Sequence, residues 1–291
     1  MRRVRAAVNY VRNPPPPGAD PLTFVPADEA RQTMQTLPGR DVWFHDVRGE
    51  ATSLDREGFV LVGHRTSVTD LEAIQEDPDV DRRYSDEMAA LLLAVTGAER
   101  VLMLGGAKRR YGEGEVAKLA RLTGHVTPAR YPHRDVTDRS GPEQAAGLAA
   151  AAGVDLADAS RWALLNAWRS VRRPPQDFPL AVCDARTVAP ADGVTVVAVT
   201  ERSGSTDEFR FDTTGYLAAP AHRWCYFSDM TPDEVLIFKT HDSDPTRARH
   251  VAHTAFTDPT CPPGVPTRAS VEIRALVVFA GTGPDGADGA A

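Results

Sequence analysis

The chain has 291 residues, with 33 basic and 40 acidic side chains, so its formal net charge of −7 argues against duplex DNA or other nucleic acid as a partner. Its hydrophobic fraction of 42% supplies enough apolar mass for a core and excludes a wholly disordered chain. Three cysteines fit no disulfide framework or zinc spacing, and 23 prolines disfavour a long helical bundle. No stretch has the length of a signal peptide or membrane helix, which predicts a cytoplasmic protein without a membrane partner.

The first half of the chain contains the predicted helices. The proline run at residues 14–17 must be extended and is interpreted as a stiff connector. A helix is predicted over residues 85–96, beginning at a serine N-cap and stopping before Gly97. A second, alanine-rich helix with a proline in its first turn is predicted over residues 141–151. We expect these helices to pack on the outer face of a sheet.

Beyond about residue 160 the pattern changes to short segments rich in β-branched and aromatic residues, separated by turn signals. Strands are predicted at residues 162–171, 180–188, 194–200, 208–211, 222–227, 235–240 and 270–279. Such spacing is typical of an antiparallel sandwich or jelly roll, so the fold is predicted to be mainly β with flanking helices. One domain is expected over residues 1–280, followed by a flexible, glycine-rich tail at 281–291.

One of the 8 histidines stands in an H-x-D arrangement, in His133-Arg134-Asp135. On a strand, residues i and i+2 point to the same face, so this imidazole and carboxylate would converge. A facial iron site with two histidines and one carboxylate takes two ligands in this way and a third from a distant strand. His253 lies far downstream and can supply that third ligand, which leaves coordination positions open for a co-substrate and O₂.

A predicted strand that follows His253 carries Arg268 and Ser270 on one face. Iron oxygenases that use 2-oxoglutarate need a fixed cation for its distal carboxylate, and the planar fork of arginine binds a carboxylate in a bidentate manner. Arg274 shares the same face of this strand and remains an alternative clamp for the distal carboxylate, although the spacing from His253 favours Arg268. Despite the acidic net charge, we therefore expect the pocket to be locally cationic.

Four other residues are candidates for the same pocket. Tyr131 precedes His133 by two residues, so its hydroxyl is expected to reach 2-oxoglutarate. Asn166 and Trp168 share a strand face, and we expect one of them to line the pocket; Lys239 is a weaker candidate for contact with an anionic substrate. The basic run at residues 108–110 lies among glycines but matches neither nucleotide-binding motif, so a phosphate site is not predicted there.

These candidates lie within longer blocks that resemble a known family, the hydroxylase/desaturase group that includes fungal gibberellin desaturase and the bacterial cephamycin 7α-hydroxylation component. The similar blocks are residues 8–11, 133–137, 166–169, 179–184, 222–227, 230–234, 238–239, 253–256 and 268–276. The resemblance implies a double-stranded β-helix (cupin-like jelly roll) oxygenase that uses Fe(II) and 2-oxoglutarate, with His133, Asp135 and His253 on iron. The family usually has asparagine where this chain has Arg134, which implies a cation beside the site and a different substrate.

The resemblance implies an oxidoreductase, a dioxygenase that uses O₂ to oxidise a small molecule, in keeping with secondary metabolism. Asp135 argues against a halogenase, which needs that ligand position vacant. Hydroxylation, desaturation and cyclisation begin with the same hydrogen abstraction, so the sequence leaves them open, together with the substrate and the oligomeric state. Two alternatives remain: a cupin-type iron enzyme that does not use 2-oxoglutarate, and a non-catalytic jelly-roll binding protein.

Overall fold

A computed structural model describes residues 2–11, 22–23, 39–112, 129–201 and 208–281. The proline run at residues 14–17 and residues 282–291 of the predicted tail lie outside these ranges. Among the helices of the described ranges, none combines the length and apolar character needed to span a bilayer.

Strands dominate the described part of the chain and form two sheets. They are β1 (Arg3–Val8), β2 (Leu22–Thr23), β3 (Arg40–Asp46), β4 (Phe59–Gly63), β5 (Arg100–Met103), β6 (Lys108–Tyr111), β7 (His133–Arg134), β8 (Arg161–Ser170), β9 (Leu180–Cys183), β10 (Gly193–Glu201), β11 (Glu208–Tyr216), β12 (Trp224–Tyr226), β13 (Glu234–Asp242), β14 (His253–Ala255) and β15 (Ala269–Phe279). The larger sheet has the order β1-β3-β12-β9-β14-β7-β11-β10-β2. The smaller has the order β4-β13-β8-β15-β5, and β6 also pairs with β15.

Two α-helices accompany the sheets, α1 (Pro78–Thr96) and α2 (Ser140–Ala151). Helix α1 begins earlier than predicted because the Asp77 side chain caps its first turn and Pro78 occupies the first helical position. It ends at Gly97, as predicted, where the backbone adopts the left-handed conformation with φ 67°. Short 3₁₀ helices lie at Leu71–Ala73, Leu156–Asp158, Ala185–Thr187 and Pro190–Asp192.

The central strands of the smaller sheet, β8, β13 and β15, are buried on both faces, and the period of two separates those faces. On β15, Val271, Ile273, Ala275 and Val277 pack in one cluster with residues of α1 such as Tyr84 and Met88. Residues of β8 and β13 on the opposite face, Trp168, Leu236 and Phe238, pack against residues of the larger sheet, including Leu180, Val182 and Cys225. The two sheets therefore face one another, with α1 outside, which confirms the predicted mainly β jelly roll with a flanking helix.

The strands predicted in the second half are present, with shifted ends. The segment predicted at residues 180–188 ends as a strand at Cys183, because Asp184 accepts a backbone hydrogen bond and starts a 3₁₀ turn. The prediction missed β1, β3 and β4. These strands carry many charged or half-buried residues, so their sequences show no clear apolar face. They are identified as strands by their pairing with neighbours in the sheets.

Candidate metal centre

The larger sheet brings together His133, Asp135 and His253. Strand β7 pairs with β14 so that His133 lies directly opposite His253, and their ring centroids are 4.2 Å apart. Asp135 follows two residues after His133, and its Oδ1 is 4.0 Å from His133 Nε2. One potential ligand atom from each of the three residues lies within 4.8 Å of the others. The structure thus assembles the three residues whose convergence the spacing predicted.

The two histidines are held in the neutral form that a metal ligand requires. Burial, reinforced by the neighbouring His253, lowers the pKa of His133 to about 3, and burial also lowers the pKa of His253. His133 Nδ1 donates a hydrogen bond to the backbone oxygen of Tyr131 at 3.1 Å, which leaves the Nε2 lone pair directed at the cluster. His253 Nδ1 is buried with no hydrogen-bond partner in the described part of the chain.

The carboxylate of Asp135 is fixed by two strands of the opposite sheet. Arg274 Nη2 on β15 donates to Oδ1 at 2.7 Å, and Asn166 Nδ2 on β8 donates to Oδ2 at 2.8 Å. Burial alone would raise the pKa of Asp135, but the Arg274 guanidinium, together with the hydrogen bond from Asn166, holds it well below its usual range. The site therefore combines two neutral imidazoles with an ionised carboxylate, which is the donor set of a facial non-haem iron centre.

Arg268 and Arg274 lie in contrasting environments, which distinguishes the two candidate clamps. Arg274 pairs with Asp135 and also with Glu272, whose Oε1 is 3.1 Å from Arg274 Nη2. The Arg268 guanidinium donates only to neutral oxygens among the described residues: Ser270 Oγ at 3.2 Å and the Phe178 carbonyl at 3.1 Å. Burial, together with the nearby Arg110, lowers the pKa of Arg268 to about 9. A carboxylate bound beside Arg268 would offset the cost of burying the charged guanidinium.

A narrow cavity lies between the histidine cluster and β15. Its volume is about 20 Å³, roughly the space of one water molecule. It is lined by Arg110, Ala129, His133, Leu180, His253, Thr254, Ala255, Arg268, Glu272 and Arg274. Three arginines border this small space, in line with the predicted cationic pocket.

Four of the predicted residues support the site from behind the cavity lining. Asn166 contacts Asp135, and Ser270 contacts Arg268, as described above. Tyr131 acts on His133 through its backbone oxygen, and its ring centroid lies 5.0 Å from that of His133. That the Tyr131 hydroxyl reaches 2-oxoglutarate stays a prediction. Arg268 also lies over the Trp168 ring, 5.0 Å from the ring centroid, so Trp168 helps to hold the Arg268 side chain in place.

The expectation that Arg134 places a cation beside the site is wrong. Its buried guanidinium donates to the Val136 carbonyl at 2.7 Å, to Thr214 Oγ1 at 3.1 Å and to Asp138 Oδ1 at 3.1 Å. None of these partners lines the cavity, and the neighbouring strand β11 holds the side chain. Arg134 directly follows His133, and successive strand residues point to opposite faces, so the Arg134 side chain points away from the cavity. Its hydrogen bond to Thr214 holds β7 against β11 instead.

Lys239 likewise lies away from the cavity. Its ammonium group is buried in an ion-pair cluster, 3.0 Å from Asp55 Oδ1 and 2.5 Å from Asp242 Oδ2. Arg110 is the lining residue that the sequence reasoning noticed but assigned no role. Its position becomes meaningful only with the register of β6 against β15, which sets it opposite Ser270.

Comparisons with known proteins agree with this geometry. Residues 8–278 match the model of the oxidoreductase/YMDC permease-like domain. A hydroxylase/desaturase, efuI, of Hormonema carpetanum is 32% identical over 95% of both chains. The Fe(II)/2-oxoglutarate-dependent dioxygenase nvfI of Aspergillus novofumigatus is 32% identical over 81% of this chain and 82% of its own. A solved structure of the iron and alpha-ketoglutarate-dependent endoperoxidase NvfI aligns over 97% of this chain and 99% of its own, with a TM-score of 0.79 and 28% identity.

Proposed function

Because the chain belongs to the oxidoreductase/YMDC permease-like domain family and is 32% identical to a hydroxylase/desaturase over 95% of its length, we propose that it is an Fe(II)/2-oxoglutarate-dependent oxygenase. It would use O₂ to hydroxylate or desaturate a small molecule of secondary metabolism. The observation that carries this proposal is the position of Arg268 relative to the two histidines. A buried arginine without a carboxylate partner among the described residues, Arg268, lines the same cavity as His133 and His253.

The residues present fit an iron ion. His133, Asp135 and His253 would hold it, since one ligand atom from each residue already lies within 4.8 Å of the others and the set combines two neutral imidazoles with a carboxylate. Bound there, iron supplies the O₂ chemistry that oxidises a C–H bond. Tyr131 fixes the ring orientation of His133, and Asn166 and Arg274 hold the Asp135 carboxylate ionised and oriented.

The environment of Arg268 fits the distal carboxylate of 2-oxoglutarate. A planar guanidinium can bind both oxygens of a carboxylate, and the Ser270 hydroxyl lies beside it at 3.2 Å from Arg268 Nε. Both residues are almost fully buried, so the hydrogen bonds would form where water cannot compete. The present cavity of about 20 Å³ is smaller than the co-substrate, and its binding would therefore require the lining side chains to move apart.

Binding measurements on variants test the assignment of the two arginines. Isothermal titration under argon would use Mn(II) in place of Fe(II) and measure first the metal and then 2-oxoglutarate. Arg268→Gln should weaken 2-oxoglutarate about 100-fold, because two charge-assisted hydrogen bonds are lost, while Mn(II) affinity stays nearly constant. Arg100→Gln, on the exposed end of the adjacent strand β5, is the matched control and should change neither affinity.

Two outcomes would contradict the proposal. If Arg268→Gln binds 2-oxoglutarate as tightly as the wild type does, Arg268 is not the clamp, and Arg274, which lines the same cavity, becomes the candidate that holds the distal carboxylate. If the wild-type protein binds neither Mn(II) nor Co(II), the three residues do not form a metal site, and the fold serves binding alone.

A further inference from the structure

Arg110 lies on the cavity face of the smaller sheet. Strand β6 runs antiparallel to β15, with Arg110 opposite Ser270 and Arg109 opposite Val271. Residues directly opposite one another in a sheet point to the same face, so Arg110 shares the face of Ser270 and of Arg268. It lines the same cavity as His133 and His253. Arg110 is therefore part of the cavity lining, but it is neither a candidate metal ligand nor one of the two candidate clamps for 2-oxoglutarate.

Within the described ranges, no hydrogen bond or salt bridge joins the guanidinium of Arg110 to another residue. Its neighbours differ in this respect: Arg109 pairs with Glu76 at 2.7 Å, and Arg274 pairs with Asp135 at 2.7 Å. Arg110 is half-buried, and its charge contributes to the lowered pKa of both His133 and Arg268. A partly desolvated cation without a counter-charge is costly and favours an anionic ligand.

The charges around the cavity point in the same direction. Among the described residues that line the cavity there are three guanidinium groups (Arg110, Arg268 and Arg274) and one carboxylate (Glu272), so the lining carries an excess of positive charge. A divalent metal and doubly ionised 2-oxoglutarate would cancel one another. The surplus positive charge would therefore remain after both were bound.

We propose that Arg110 binds an ionised carboxylate of the substrate, so that the enzyme acts on small organic acids. This inference rests on the proposed function, because it assigns Arg268 and Ser270 to 2-oxoglutarate and leaves Arg110 available. A carboxylate suits the position because the guanidinium fork can donate two parallel hydrogen bonds to it. Neutral analogues of the same shape would leave the cation unpaired and bind less well.

The test uses acetate and acetamide as probes of equal shape and different charge. The protein is loaded with Mn(II) and saturated with 2-oxoglutarate under argon, and the paramagnetic relaxation of each probe's methyl protons is measured by NMR. The wild type should bind acetate about tenfold more tightly than acetamide. Arg110→Gln should remove this preference, Arg110→Lys should retain part of it, and the Arg100→Gln control should behave as the wild type.

Three results would overturn the inference. The first is equal relaxation of acetate and acetamide in the wild type, and the second is a preference for acetate that survives in Arg110→Gln, which would indicate direct coordination to the metal. Alternatively, Arg110→Gln weakens 2-oxoglutarate as strongly as Arg268→Gln does, which would assign Arg110 to the co-substrate. In all three cases Mn(II) and 2-oxoglutarate still bind to the wild type, whereas failure of the proposed function would abolish that binding.

Discussion

At the scale of single residues, Asp135 shows how the second sheet completes a site on the first. Asp135 follows β7 of the larger sheet, while Asn166 and Arg274 reach it from β8 and β15 of the smaller. The sequence predicted that one of Asn166 and Trp168, which share a strand face, would line the pocket. It could not show that the amide contacts a candidate metal ligand, since that contact depends on how the two sheets face one another.

Replacement of Asn166 tests this support of Asp135. Asn166→Ala removes the 2.8 Å hydrogen bond to Oδ2, so the carboxylate loses part of its fixed orientation. We expect Mn(II) affinity to fall about 10- to 100-fold, the usual cost of losing such an outer contact. Calorimetry measures the affinity, and Thr240→Val, which removes a buried hydroxyl bonded to the Leu164 carbonyl, is the control. Equal Mn(II) affinity in Asn166→Ala and the wild type would show that the amide does not support the ligand.

At the scale of elements, β15 was the most predictable part of the molecule. Its alternation of Arg268, Ser270 and Glu272 with Val271 and Ile273 predicted one polar and one apolar face, and the structure has both. Strand β14 is only three residues long, too short for any periodic pattern, and His253 was found through its spacing from other motifs instead. Arg110 escaped assignment because the pairing of β6 with β15 cannot be read from a basic run.

A glycine in the turn before β4 controls how the segment leading to His253 packs. Gly58 has φ +88°, and a Cβ there would lie 2.4 Å from Val251 Cγ2. Val251 is fully buried and lies two residues before His253. The turn therefore needs glycine for both its conformation and its close approach.

Two glycine substitutions separate these requirements. Gly49 also has positive φ, +85°, but nothing lies within 4 Å of a Cβ built there. Gly49→Ala should lower the free energy of unfolding by about 1 kcal/mol, the conformational cost alone. Gly58→Ala should cost about 1–3 kcal/mol more, because of overpacking. Urea denaturation measures both; equal losses would mean that the contact with Val251 is accommodated without strain.

At the scale of the whole molecule, buried histidines link stability to pH. His241, 1% exposed, stacks on Trp162 with ring centroids 5.2 Å apart. Burial lowers its pKa to about 4; Arg134 and Arg249 lower it as well, while Asp138 and Asp242 act in the opposite sense. Because the unfolded chain binds the proton more readily, the stability that neutral His241 contributes is complete above about pH 6.5. It is lost as the pH falls from there towards 4.

Replacement of His241 by phenylalanine keeps an aromatic ring against Trp162 and removes the titration. The wild type should lose free energy of unfolding between pH 7 and pH 5, with His241 responsible for about 2 kcal/mol of the loss. In His241→Phe the loss should be smaller by that amount. Urea unfolding of the metal-free proteins at the two pH values measures it. An identical pH dependence in the two proteins would mean that His241 does not titrate as its burial suggests.

The residue patterns and the family resemblance together predicted the mainly β fold and the convergence of the three candidate metal ligands, whereas the arginine clamp stays a prediction. They failed for Arg134, where alternation along β7 turns the side chain away from the cavity, and for Lys239, which is neutralised by Asp55 and Asp242. Both errors come from counting charges near a motif without knowing their partners. The same holds for the whole molecule, because a formal net charge of −7 did not exclude a cavity that three arginines line.

The central claim, that His133, Asp135 and His253 form an iron site serving 2-oxoglutarate, is tested most directly by measuring succinate formed from 2-oxoglutarate with Fe(II), ascorbate and O₂. The wild type should form succinate slowly without added substrate and only with iron, Arg100→Gln should match it, and Asp135→Ala should lose at least about 100-fold of the rate. An iron-loaded wild-type protein that forms no succinate above the protein-free level, or an Asp135→Ala variant that forms it at the wild-type rate, would contradict the account.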